Sequence, residues 1–227
     1  MSAVKIAFLC LALCLPALAD LAAGRQALKN GDYAAALSEF MPLAKQGDAE
    51  AQDKVGRMYA AGQGVPQDDK EAVMWWRLAA QQGNADAESN LGFMYSDARG
   101  VPQDGKEAAH WYRLAAEQGD PDAQFALGLL YTVGLGVAAD SKEAAHWYRL
   151  SAEQGSVRSQ SSLGFMYSEG RGVPQDYVQA HMWFNLAGAG GDADGIDARP
   201  AIENLMKADQ IAEAERLARE WKPKKTQ

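Results

Sequence analysis

The chain has 227 residues, 48% hydrophobic and 23% charged, with a formal net charge of −8 and two cysteines. It is too apolar for intrinsic disorder, too acidic for a nucleic-acid binder that needs a basic face, and too poor in cysteine for a disulfide scaffold. Its length allows one domain or two small ones, with enough chain to bury a core.

Residues 1–19 carry one charge, Lys5, then an apolar run from Ile6 to Leu15, then Pro16 and the ending Ala17-Leu18-Ala19. This pattern reads as a secretory signal peptide cleaved after Ala19. Its ten apolar residues fall short of the roughly 20 that span a bilayer. An uncleaved anchor or a lipoprotein is the alternative, but Leu13 stands before Cys14 where a lipobox has a small residue. Both cysteines, Cys10 and Cys14, lie in this segment, so the expected mature chain has none and loses Lys5, for a charge of −9. It is expected in the periplasm, or alternatively outside the cell, with no stable membrane insertion after cleavage, and must be held by packing rather than disulfides.

Residues 20–48 read as a short capping hairpin: Asp32, Ala36, Phe40, Ala44 and Gly47 follow a helical pattern, and Asn30-Gly31 supplies a tight turn. A 36-residue period then repeats four times without a gap, over 49–84, 85–120, 121–156 and 157–192. The seventh and eighth places hold Val55-Gly56, Leu91-Gly92, Leu127-Gly128 and Leu163-Gly164; the eleventh holds Tyr59, Tyr95, Tyr131 and Tyr167. Apolar residues three and four apart make this a helix, which a glycine-rich loop such as Gly62-Gln63-Gly64-Val65-Pro66 terminates. A second helix opens near Asp68, Asp104, Asp140 and Asp176, where a carboxylate satisfies free amides and complements the helix dipole. Its inner stripe carries Trp75, Trp111, Trp147 and Trp183, followed by Trp76, Tyr112, Tyr148 and Phe184. These tryptophans and the four tyrosines of the first helix are the expected repeat core. After the fourth unit, Gly188 to Gly195 reads as a break in the pattern, with capping helices near 197–207 and 210–221 within a terminal segment 193–227. Such hairpins cannot bury their apolar faces alone, so the fold class is all-α, an α/α superhelical solenoid of antiparallel hairpins.

The series L-G-x-x-Y, G-x-G-V-x-x-D and K-E-A-x-x-W-Y-x-x-A-A-x-x-G at this period resembles the Sel1-like repeat family, of the tetratricopeptide-like superfamily. The resemblance covers 49–192 and implies a scaffold or adaptor for other proteins, often in bacterial envelopes. One subclass carries a disulfide across each repeat and is associated with penicillin binding; the expected mature chain has no cysteine, so that activity is not carried over.

Reactive constellations are sparse. His110 and His146 share one repeat position that holds methionine in Met74 and Met182, and neighbouring helices about 8–10 Å apart are poorly spaced for two imidazoles on one zinc. The stretch Asp192 to Glu203 has its glycine at the fourth place, not the sixth that a calcium loop needs. Beyond the first nineteen residues there is no Ser-x-x-Lys, Gly-x-Ser-x-Gly or His-Glu-x-x-His. No catalytic residue, metal or cofactor is expected.

A binding face should keep the period and free the residue identity. The fifth place reads Asp53, Ser89, Phe125, Ser161, and the ninth reads Arg57, Phe93, Leu129, Phe165. If the ninth place faces a groove, it forms an apolar stripe bordered by small polar residues, suited to a peptide or a partner's helix; if it faces the next repeat, it is core. The expected function is a monomeric, non-catalytic interaction protein of the bacterial envelope that binds a protein or peptide, not nucleic acid. The alternatives are a cell-wall enzyme, or a peptidoglycan or small-ligand module.

Overall fold

The computed structural model describes residues 20–224, and among these every regular element is a helix. The signal-peptide reading lies outside the described residues. In chain order, α1 (Leu21–Lys29) and α2 (Tyr33–Lys45) form a first hairpin. Four longer hairpins follow: α3 (Ala49–Ala61) with α4 (Asp69–Ala80), α5 (Ala85–Ser96) with α6 (Gly105–Glu117), α7 (Pro121–Val133) with α8 (Ser141–Glu153), and α9 (Val157–Glu169) with α10 (Tyr177–Ala189). The chain ends in α11 (Ala193–Glu203) and α12 (Ala208–Glu220). From α1 to α11 each helix packs mainly on its neighbours in sequence, as an all-α stack of hairpins requires, whereas α12 folds back onto α10.

Caps set the boundaries. Asp68, Asp104, Asp140 and Asp176 each accept from two backbone N–H groups at the start of a second helix. Asp48, Asn84 and Asp120 cap first helices by accepting from the amide three residues on. Asp192 does the same for α11 through Gly195. This corrects the reading of 188–195 as an interruption. α10 continues through Gly188, and α11 starts at Ala193 because Asp192 recurs at the first-helix capping place.

The Leu-Gly pair explains how close the helices come. An ideal Cβ at Gly56, Gly92, Gly128 or Gly164 would stand 2.8, 2.6, 2.7 and 2.7 Å from the ring of Trp76, Tyr112, Tyr148 or Phe184. Each glycine is the seat of an aromatic side chain twenty residues on, and those four rings are buried. The first hairpin repeats the device with Gly24 under Phe40. In the tryptophan series, Trp75, Trp147 and Trp183 are buried, whereas Trp111 is half-buried and donates its indole N–H to Glu107.

Stacking between repeats has its own periodic bonds. Arg77, Arg113 and Arg149 each donate to the tyrosine hydroxyl of the next repeat, Tyr95, Tyr131 and Tyr167. Gly100, Gly136 and Gly172 have left-handed φ of 68°, 73° and 69° and press on the first-residue backbone of the preceding second helix, at Asp69, Gly105 and Ser141. The helix-ending place before them holds Gly62, Gly134 and Gly170, but Ala98 in the second repeat, also left-handed at φ 55°. An L side chain there costs about 1–2 kcal/mol, and glycine gives back about 0.4–1 kcal/mol in unfolded-chain entropy. Ala98→Gly is therefore expected to stabilise by about 0.5–1 kcal/mol in urea titration.

The fourth place of each unit is buried and polar. Gln52, Gln124 and Gln160 donate to the carbonyls of Ala44, Ala116 and Ala152. The second repeat has Glu88 instead, 3% exposed and accepting from Gln118. Burial pushes its carboxyl above the usual glutamate value, against the opposing effect of the Gln118 bond. Below about pH 4.5 both folded and unfolded chains hold the proton and the penalty is absent; it grows as pH rises through the folded value. Glu88→Gln removes that penalty and supplies a donor for the Ala80 carbonyl, the equivalent of Ala44, worth about 1 kcal/mol. At pH 7 its Tm should rise by at least about 2–4 °C, and the gain should shrink as the melt is moved to pH 4.

α12 lies on α10, with Trp221 edge-on to Trp183 at 6.4 Å between ring centroids. Beyond it, Lys224 bonds both the backbone carbonyl and the carboxylate of Glu153. No helix among the described residues is long and apolar enough to cross a membrane.

Candidate partner-binding face

The first helices α5 and α7 touch one another, as do α9 and α11, and form one layer of the stack. Along this layer the ninth place behaves differently in each repeat. Arg57, Phe93 and Leu129 are exposed, the last two at 40% and 45%. Phe165 is half-buried and packs edge-on to Phe184 at 4.9 Å. The stripe therefore faces solvent in the first three repeats and is partly covered in the fourth, where Phe165 packs on the buried Phe184 ring.

The fifth place is corrected more sharply. Asp53 is fully buried and cannot touch a partner: it accepts from the Trp76 indole at 3.2 Å and from Lys54 and Arg57. Ser161 is 4% exposed, and its hydroxyl has no hydrogen-bond partner. A hydroxymethyl group is too short to emerge from the α9 contact, whereas Phe125 in the same place extends into the groove under the Arg158 guanidinium at 4.6 Å. Ser89 is half-buried beside Phe93 and lines the same groove.

Between α5 and α7 these residues enclose a cleft of about 390 Å³. Ser89, Phe93, Phe125 and Leu129 line it, together with Asn90, Ser96, Asp97, Tyr112, Asp122 and Arg158, which the fifth and ninth places alone did not reveal. The signal for them was present. Asp122 stands at the second place and Asp97 at the thirteenth, one turn below the fifth and one turn above the ninth on the same helical face. Burial raises the phenols of Tyr112 and Tyr148 above the usual tyrosine value, opposed by hydrogen bonds to Ser96 and Thr132, so both stay neutral in ordinary buffers. Ion pairs bridge adjacent first helices at Arg57–Asp86 and Arg158–Asp122, while Arg99 forks onto Asp69 and covers the Phe93 ring.

The histidines build no reactive cluster. His110 and His146 are exposed and lie edge-on to Trp111 and Trp147. His181 is buried between α10 and α11: Asn185 donates to Nδ1, which leaves the Nε2 hydrogen facing Glu203 at 2.9 Å. No group of three or more His, Cys, Asp or Glu among the described residues is placed to hold a metal ion.

Comparison with known proteins accords with this geometry. The Sel1 repeat profile matches residues 49–84, 85–120, 121–156 and 157–192. A protective antigen of uropathogenic Escherichia coli strains, displaying an SLR fold, superposes with a TM-score of 0.76 at 36% identity over 82% of this chain; the chain spans 40% of that protein. A Sel1 repeat protein from Oxalobacter formigenes gives 0.76 at 30% identity, covering 86% of this chain and 80% of the other. A putative Sel1 repeat protein from Klebsiella pneumoniae, at 22% identity and a TM-score of 0.52 over 79% of this chain and 89% of its own, shares the fold. No curated protein matches the sequence. With four consecutive units covered by the profile and the same superhelical stack in its structural relatives, the chain belongs to the Sel1 repeat family.

Proposed function

We propose that this protein is a non-catalytic scaffold or adaptor of the bacterial cell envelope that binds a partner protein or peptide on its first-helix face. Sel1 repeats generally mediate protein interaction and are generally non-catalytic, and four of them make up most of this chain. The observation that carries the binding face is the exposure of Phe93 and Leu129 on neighbouring first helices, one period apart, in repeats whose other large apolar positions are mostly covered. Two exposed apolar anchors lining one cleft among polar neighbours suit a segment laid across the hairpins. The export signal read in residues 1–19 supports a periplasmic setting, with secretion as the alternative.

The test is comparative capture from a periplasmic extract, with the full chain against Phe93→Ala/Leu129→Ala. Because both side chains are substantially exposed, the double variant should melt within a few degrees of wild type. The proposal predicts that a protein retained by wild type is lost from the variant. Retention of the same protein by both would place the binding face elsewhere.

A further inference from the structure

The cleft between α5 and α7 has a charge pattern that narrows what it receives. Every arginine around it is already matched: Arg57 by Asp53 and Asp86, Arg99 by Asp69, and Arg158 by Asp122. Asp97 is not. Its carboxylate sits at the rim above Ser96 and Tyr112, with no cation or hydrogen-bond donor on it among the described residues. The cleft thus carries one surplus negative charge against walls formed by Phe93, Phe125 and Leu129, on a chain whose overall charge is −8.

The next repeat continues the surface in a different chemistry. Where the neighbouring repeats carry acid and arginine (Asp97 and Arg99, Glu169 and Arg171), the third carries Val133 and Leu135, both exposed. With Leu129 they make an apolar edge beginning at the cleft. An extended chain advances about 3.3 Å per residue and adjacent helices lie about 8–10 Å apart, so cleft and edge are two to three residues of peptide from one another.

From this juxtaposition we infer that the cleft receives a basic side chain, a lysine or arginine on an extended segment of the partner, with a large apolar residue two or three positions away resting on Leu129 and Val133. The aliphatic stem lies between Phe93 and Phe125 and the charged head meets Asp97, while the Ser96 and Tyr112 oxygens accept its remaining hydrogens. This assignment rests on the reading of the first-helix face as the binding face.

The experiment titrates the ¹⁵N-labelled full chain with two blocked peptides, acetyl-Gly-Lys-Ala-Ala-Leu-Gly-amide and the same peptide with norleucine for lysine, which keeps the stem and removes the charge. The lysine peptide should bind about tenfold more tightly, perturb the amides of Phe93, Ser96 and Asp97, and weaken as salt rises from 50 to 500 mM. Asp97→Asn should abolish the preference and leave the norleucine peptide unchanged. Asp97→Lys should transfer the preference to a glutamate peptide. Equal binding of the two peptides, failure of both to bind, or a lysine preference that survives Asp97→Asn would overturn the assignment. The capture comparison with Phe93→Ala/Leu129→Ala uses no peptide, so loss of a captured protein there would leave the binding face standing even when this assignment fails.

Discussion

Phe184→Ala is expected to cost about 3–5 kcal/mol, among the largest losses available to a single substitution in this chain. The ring is completely buried, seated on Gly164 and edge-on to Phe165, and it joins α9 and α10 to Ile202 of α11. Its removal leaves a cavity that rigid neighbours cannot fill, because the glycine beneath it has no side chain to swing inward. In a repeat array each hairpin is stabilised mainly by its neighbours, so the damage should be regional. Urea melts followed by circular dichroism should show a lower midpoint, and hydrogen exchange should show α11 and α12 opening before α3 to α6. Uniformly accelerated exchange along the chain would mean that the stack behaves as one cooperative unit instead.

Asp53→Ala is expected to cost about 3 kcal/mol. It strands the buried Trp76 indole N–H without an acceptor and removes the carboxylate on which Arg57 and Lys54 converge. Arg57 is half-exposed and recovers part of its solvation, which keeps the loss below that of a fully buried pair. Asp53→Asn keeps an oxygen for the indole and should lose about half as much. Were Asp53 a partner contact, alanine would reduce capture and leave the midpoint untouched; the structure predicts the reverse order of effects.

The same residue shows what the sequence does and does not disclose. Period, helix order and second-helix caps are legible because each follows from local chemistry: apolar spacing, a glycine stop and an aspartate start. The pairing of Gly92 with Tyr112, or of Gly128 with Tyr148, is not local, since it depends on which faces meet across a loop. Trp75 and Trp147 are among the largest residues of their repeats, but the position that sets helix separation is the aromatic one residue later, seated on glycine. The fifth place varies from repeat to repeat, which reads as a free surface, yet Asp53 is buried. Its burial could have been read from a paired departure: the first repeat alone has tryptophan at the seated position, Trp76, and alone has aspartate at the fifth. One change creates a buried donor and the other satisfies it. For the ninth place, Phe93 and Phe165 are the same residue type, and only the packing of Phe165 on Phe184 distinguishes core from surface. The glycines from Gly188 to Gly195 read as a break, while Asp192, at the capping place of the 36-residue period, marks the start of α11.

Hydrogen exchange of the full chain, alone and bound to the protein that Phe93→Ala/Leu129→Ala fails to capture, tests the binding face most directly. The account predicts slowed exchange in α5 and α7 and in the loop through Val133 and Leu135, with α4 and α6 little changed. Protection confined to α4, α6 and α8, with α5 and α7 exchanging as in the free chain, would contradict it.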